Sequence, residues 1–234
     1  MAFEILSVRW KAPVVLALAF ALISGCRTTP PQATPLADSL PFAKEINAYT
    51  ALDTTNSPAR SGILFIGSSS IRLWKTLEQD FPARPVFNRG FGGSQIIDSV
   101  NYADRIVFPY KPRHIVLYAG GNDINAKKSP AQVFADFQAF VAKVHARLPR
   151  TRISYISIAP NPARWAQVEN VREANRLIEN FTRRDARLNF INVFPHMLGA
   201  EGQPLPDIFV ADRLHMNAKG YEIWRRVVGP HLRH

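Results

Sequence analysis

Ile63-Leu64-Phe65-Ile66-Gly67-Ser68-Ser69-Ser70-Ile71-Arg72-Leu73-Trp74 is the stretch that decides the fold. Its apolar half is short and bounded by Gly62 and Gly67, the pattern of a parallel strand buried on both faces. Helix-compatible residues follow at once, with Leu73, Trp74 and Leu77 spaced to cover one face. Three serines on a glycine hinge stand between strand and helix. Serine caps helix starts, and glycine lets the backbone turn sharply. A hydroxyl here stands at the carboxyl end of a strand, facing free N–H groups, where open α/β sheets bind ligands. Taken alone, the triplet reads sooner as a plain cap than as a reactive site.

Downstream the chain alternates. Pro85-Val86-Phe87-Asn88 reads as a second strand running into Arg89-Gly90-Phe91-Gly92-Gly93, and a helix is expected from about Ser94 to Ile106. The third strand is Ile115-Val116-Leu117-Tyr118, followed by Ala119-Gly120-Gly121-Asn122-Asp123. Ser129-Pro130 opens a helix as cap and first-turn proline, and Val133, Phe137, Phe140, Val141 and Val144 keep the helical spacing of a core face. A fourth strand spans Ile153 to Ile158, with a long amphipathic helix expected from about Arg164 to Arg183. Phe190-Ile191-Asn192-Val193 is the fifth strand, and the final helix runs from Asn217 to about Val228. Five strands alternating with helices predict a parallel sheet covered on both faces, a three-layer α/β/α domain.

The loops at the strand ends then share one edge, and they carry Ser69, Gly93, Asn122, and Asp212 with His215. Acyl-ester hydrolysis needs such parts. A serine nucleophile wants a neutral imidazole within hydrogen-bond reach, and His215 is the candidate base. Asp212 can accept from the other ring nitrogen and fix the tautomer. The oxyanion of the tetrahedral intermediate needs preset donors, each worth roughly 3 kcal/mol in the barrier. The N–H groups of Ser69 and Gly93 and the Asn122 amide are the candidates. Each cluster alone has a plainer reading: Gly92-Gly93 and Asn122-Asp123 as turns, Asp212 as a cap, His215 as a packed surface residue. Their order, one cluster to a strand end, argues for chemistry.

In these four blocks the chain resembles the SGNH hydrolases, also called the GDSL esterase and lipase family, over Gly62 to about Leu232. The resemblance implies a flavodoxin-like sheet of order 2-1-3-4-5 and chemistry without metal or cofactor. It assigns Ser69 in Gly67-Ser68-Ser69 as nucleophile, Gly93 and Asn122 as oxyanion donors, and Asp212 with His215 as the acid–base pair. The family's Gly-Asp-Ser is Gly67-Ser68-Ser69 here, and three consecutive serines leave the register open by one, with Ser68 and Ser70 as alternatives. Ser94 stands where relatives often carry Asp. Neither Gly-x-Ser-x-Gly nor His-Glu-x-x-His occurs.

Weaker candidates surround this set. Arg72, Arg164 and Trp165 are possible substrate-cleft residues, with capping and packing as the plainer readings, and Trp74 reads as core. Asp207 is a rival orienting acid farther from His215. His114, His145, His196 and His231 show no ligand spacing.

The 234 residues suffice for one single-core domain. The first 25 stand apart from it. Arg9 and Lys11 precede an apolar run, Pro13 to Ile23, of roughly ten residues, half of a membrane span but suited to a signal peptide. The run ends in Leu-Ile-Ser-Gly-Cys, which resembles a bacterial lipoprotein signal with Cys26 as the acylated amino terminus. Cys26 is the only cysteine, so no internal disulfide can form. Arg27 in place of Asp implies, by the same resemblance, the outer membrane on its periplasmic face. Residues 26–40, rich in Pro and Thr, read as an extended tether, and residues 41–234 as the hydrolase domain.

The net charge of +11 is spread along the chain and favours anionic partners such as acidic polysaccharide or phospholipid headgroups. No recognition motif accompanies it, which argues against nucleic acid. The expected activity is hydrolysis of small or medium acyl esters, O-acetyl groups on polysaccharide or lysophospholipids. An O-acyltransferase would use the same residues, and a non-catalytic carbohydrate- or lipid-binding lipoprotein would keep the fold without turnover.

Overall fold

Five short apolar runs, too short for helices and rich in Ile, Val, Leu and Phe, pair as parallel strands. The computed structural model describes residues 41–58 and 60–232. The expected signal segment 1–25, Cys26 and the expected tether 26–40 lie outside the described residues. In chain order the elements that position the site are α1 (Ala43–Leu52), β1 (Ile63–Gly67), α2 (Ser69–Arg72), β2 (Val86–Gly90), α3 (Ile96–Asn101), β3 (His114–Tyr118), α4 (Gly121–Asn125), α5 (Pro130–Arg147), β4 (Arg152–Ile156), α6 (Val168–Thr182), β5 (Leu188–Ile191) and α7 (Ala218–Val228).

The sheet order is β2-β1-β3-β4-β5, as expected, with β1 between β2 and β3. Gly67 is the register partner of both Gly90 and Tyr118, so three strands end level. Successive side chains alternate between the two faces. Leu64, Ile66, Ile115, Leu117 and Tyr155 pack with residues of α1, α3, α5 and α6. Ile63, Phe65, Val116 and Ile156 pack on the other side with Trp74, Trp224 and Val228. This makes three layers, with β1 buried along its whole length.

Local signals placed some helix starts well. Ser129 accepts from Gln132 N while the Gln132 side chain accepts from Ser129 N, a capping box ahead of Pro130. Asn217 caps α7. Two expectations need correction, and one helix was missed. The helix expected over 94–106 is two pieces, α3 and a short turn at Ala103–Ile106, because Tyr102 leaves helical geometry at φ −93°, ψ 2°. Its hydroxyl donates to Pro41 O at 2.7 Å, which ties this bend to the start of the domain. The helix expected from Arg164 starts at Val168, because Asn161 caps a separate turn, Pro162–Gln167, in which Arg164 sits at φ −124°. Helix α1 was not expected at all. It buries one residue, Ile46, and its start has no side-chain cap.

Candidate active site

The Ser-rich turn is built by a close approach. Gly67 has φ +128°, and a Cβ there would stand 1.9 Å from the Tyr118 carbonyl oxygen, so only glycine fits. The Ser68 N–H donates to that same oxygen at 2.8 Å, fixing the turn against β3. Ser68 is buried at 5% exposure and serves as the backbone cap of α2, while Ser69 is its first helical residue. Of the three serines, Ser69 faces the imidazole: its Oγ lies 2.8 Å from His215 Nε2. The Ser70 carbonyl accepts from the Tyr221 hydroxyl.

His215 sits on the loop before α7. Its Nδ1 lies 2.6 Å from Asp212 Oδ2, and the other Asp212 oxygen accepts the backbone N–H groups of His215 and Leu214, both at 2.9 Å. The His215 N–H, then its ring, hold the Asp212 carboxyl down to about 2. An acceptor at Nδ1 selects the tautomer whose Nε2 carries the lone pair that Ser69 needs. Asp207, the rival acid, pairs instead with Lys219 Nζ at 2.9 Å.

The loop after β2 lies beside this turn, since Phe91 N–H donates to Gly67 O at 2.9 Å. Gly93 is exposed, at φ +74°. The N–H groups of Ser69 and Gly93 have no acceptor among the described residues. Asn122 comes from β3's end: its Nδ2 donates to Ser94 O at 3.0 Å, and its Oδ1 accepts from Arg164 Nη1 at 3.0 Å. That leaves a second amide hydrogen for the cleft.

Ser68, Ser69, Ser70, Asn122, Arg164 and His215 line one cleft, walled further by Tyr118, Met197, Phe209 and Trp224. It holds about 30 Å³. Trp165 lines an adjoining hollow, where Arg164 also stands. Arg72 is not on the cleft. Its guanidinium lies over Gly92, which leaves room for it, beside Glu45 at 3.6 Å. Trp74 is core at 1% exposure.

Sequence reasoning missed two supports. Asp123 was weighed only as a turn residue, yet it is fully buried and accepts from Ile96 N at α3's start and from Lys128 Nζ at 3.2 Å. Burial raises its carboxyl and Lys128 opposes that. Glu45 of α1 accepts the Gly92 N–H at 3.2 Å, bracing the glycine loop from outside. The charge of Asp123 beside Asn122 was a visible signal; nothing local marked Glu45. His114, His145 and His231 are engaged by Ser154, the Thr151 carbonyl and Asn189. No three His, Cys, Asp or Glu side chains among the described residues are placed to hold one metal ion.

The arrangement can pass a proton from a hydroxyl to an imidazole braced by a carboxylate, beside an amide donor. A model of the GDSL-like lipase/acylhydrolase family matches residues 67–223. No curated protein matches the chain. Among solved structures, a Streptococcus pneumonia protein provisionally named as a platelet activating factor superposes at TM-score 0.73 with 23% identity, over 81% of this chain and 92% of that one. A GDSL-like lipase of Bacteroides thetaiotaomicron VPI-5482 gives 0.68 and 17%, over 80% and 96%. A carbohydrate esterase family 3 protein of Talaromyces cellulolyticus gives 0.61 and 17%, over 73% and 95%. At these identities the likeness is one of fold.

Proposed function

The chain belongs to the GDSL-like lipase/acylhydrolase family, and from that premise we propose that it is a serine esterase acting on carboxylic esters with short acyl groups, O-acetyl esters foremost. The observation that carries this reading is the continuous chain Ser69 Oγ–His215 Nε2–Asp212 Oδ2, at 2.8 and 2.6 Å, opening on a cleft.

In the proposed reaction Nε2 of His215 takes the Ser69 proton as Oγ attacks the ester carbon. The carbonyl π electrons move to oxygen, and the N–H groups of Ser69 and Gly93 with the Asn122 amide receive that charge. His215 then gives the proton to the departing alkoxide, leaving an acyl-serine. Water, deprotonated by the same imidazole, attacks the acyl carbon, and Ser69 leaves with the proton returned. Asp212 holds the Nδ1–H and stabilises the imidazolium. Asp207 has no part in this.

The narrowness of the cleft, walled by Tyr118, Met197, Phe209 and Trp224, supports a small acyl group. The naming of one similar fold as a carbohydrate esterase points the same way. The proposal places the enzyme in a bacterial envelope, anchored by acylated Cys26 and facing the periplasm from the outer membrane. Mass spectrometry of the mature amino terminus tests this; a chain that retains residues 1–25 overturns it.

A fluorophosphonate probe tests the chemistry. Wild type, Ser68→Ala and Ser70→Ala are expected to label and Ser69→Ala is not. Equal labelling of wild type and Ser69→Ala, or of neither, sinks the reading. Nitrophenyl esters of rising chain length then read the acyl preference, expected to peak at acetate.

A further inference from the structure

We propose that Arg164 forms an anion subsite of this cleft, so that the preferred ester carries a carboxylate or phosphate a few bonds from the reacting carbonyl. The inference rests on the esterase reading above and names its substrate class.

Arg164 is held firmly. Asn161 Oδ1 accepts its N–H at 2.9 Å, and the neighbouring Ala163 N–H donates to Arg213 O at 3.1 Å, which joins this turn to the Asp212–His215 loop. Its Nη1 donates to Gly121 O at 3.1 Å and to Asn122 Oδ1 at 3.0 Å. Its Nε and Nη2 have no acceptor among the described residues, and neither is sealed from solvent. They are free to donate.

The charge of Arg164 is partly desolvated and lies on a cleft, yet it has no acid partner among the described residues. Arg89, Arg147, Arg176, Arg183, Arg187 and Arg225 each have a carboxylate within 2.7 Å. Arg164 is half-buried and has no carboxylate within ion-pair distance among the described residues. Two neutral carbonyl oxygens compensate a desolvated cation only in part. Asp212, on the loop that this turn is joined to, is committed to His215.

Position gives the free charge its use. Arg164 belongs both to the Ser69 cleft and to the adjoining hollow lined by Ile158, Trp165, Val168 and Val171. Those apolar walls lower the local dielectric beside the guanidinium and strengthen its attraction for an anion. Because Arg164 also grips the amide expected at the ester oxygen, a bound anion lies close to the reacting bond. An acidic sugar supplies a carboxylate and a lysophospholipid headgroup supplies a phosphate; both offer oxygens that the guanidinium fork takes in pairs.

The test has two arms, each on wild type, Arg164→Gln and Arg164→Lys. Kinetics compare neutral phenyl acetate with anionic 4-acetoxybenzoate. Wild type is expected to favour the anionic ester, and Arg164→Gln to lose at least tenfold more kcat/KM on it than on the neutral one, with Arg164→Lys between. Parallel losses on both esters overturn the subsite and leave Arg164 acting only through Asn122. Calorimetric titration with glucuronate and with glycerol 3-phosphate reads binding without turnover. At least tenfold weaker binding by Arg164→Gln supports the subsite, and the tighter ligand identifies the anion; no binding to wild type, or equal binding to both, overturns it. If neither ester is turned over, the esterase reading fails and the titration alone decides the subsite.

Discussion

The side-chain amide of Asn122 donates to the backbone carbonyl of Ser94 at 3.0 Å, so the loops after β3 and β2 are fastened to each other beside Ser69. Arg164 grips the other end of the same amide at 3.0 Å. An amide held at both ends has one orientation and costs no reorganisation when charge appears on the substrate oxygen. In Asn122→Ala the proposed donor is gone, and kcat is expected to fall about 100-fold with KM nearly unchanged. A rise in KM at constant kcat would mean that Asn122 only binds substrate.

Asp212 bears on pH. Its carboxyl is held down to about 2, first by the His215 N–H. A depressed carboxylate favours the fold above its unfolded value of 3.8, and that contribution is lost as pH falls toward 2. Asp212 is therefore charged throughout the working range. The deficit of Asp212→Asn is expected at about 10⁴-fold in kcat at pH 8, where wild-type Asp212 is fully charged. A loss of less than tenfold would contradict this account.

His114 sets a different pH limit, on stability. Burial, then the nearby Arg152 and Arg113, push it down to about 4, and its Nε2 meets Ser154 Oγ at 2.8 Å. A lowered histidine favours the fold above the unfolded value of 6.5 and loses that contribution as pH falls from 6.5 to 4. Chemical denaturation should show wild type losing at most about 3 kcal/mol across this window, with a flatter profile in His114→Gln.

Glu45 tests the brace on the glycine loop. Glu45→Ala frees the Gly92 N–H and removes the partner of Arg72. The carboxylate is partly exposed, so the stability cost should be about 1 kcal/mol. Activity should fall about tenfold, in kcat and not in KM, by the looser placement of Gly93. Glu45→Gln keeps an acceptor and should recover most of it.

Gly67 is predicted to tolerate nothing. An alanine Cβ would meet the Tyr118 carbonyl at 1.9 Å, with backbone on both sides of the clash. Gly67→Ala should cost more than about 3 kcal/mol and show as loss of soluble protein or a collapsed Tm. By contrast a Cβ at Gly202 meets nothing within 4 Å, so an alanine there faces only the smaller cost of φ +72°.

How much of this was legible in the chain depends on the range of the signal. The start of α5 was written in four residues, Ser129 to Gln132, and the five strands in short apolar runs, because caps and burial on both faces leave local marks. Helix α1 left none. Ala43–Leu52 buries only Ile46, and it is held by contacts made far along the chain: Tyr49 to the Gly90 carbonyl at 2.5 Å and the Phe42 ring against Phe91. The late start of α6 was equally invisible. Arg164 fits a helix pattern and is drawn out of it by Asn161 and by partners 42 and 43 residues away.

The sequence by itself determined the sheet, its order by resemblance, and which residue types stand at each strand end, since alternation and turn chemistry act between neighbours. It preferred Ser69 by resemblance and kept Ser68 and Ser70 as alternatives. Only the tertiary structure shows which hydroxyl meets the imidazole, because the distance between groups 146 residues apart is set by how Gly67 turns against Tyr118. The same holds for Arg164: its charge is plain in the chain, but that no carboxylate among the described residues pairs with it is a property of the packed cleft.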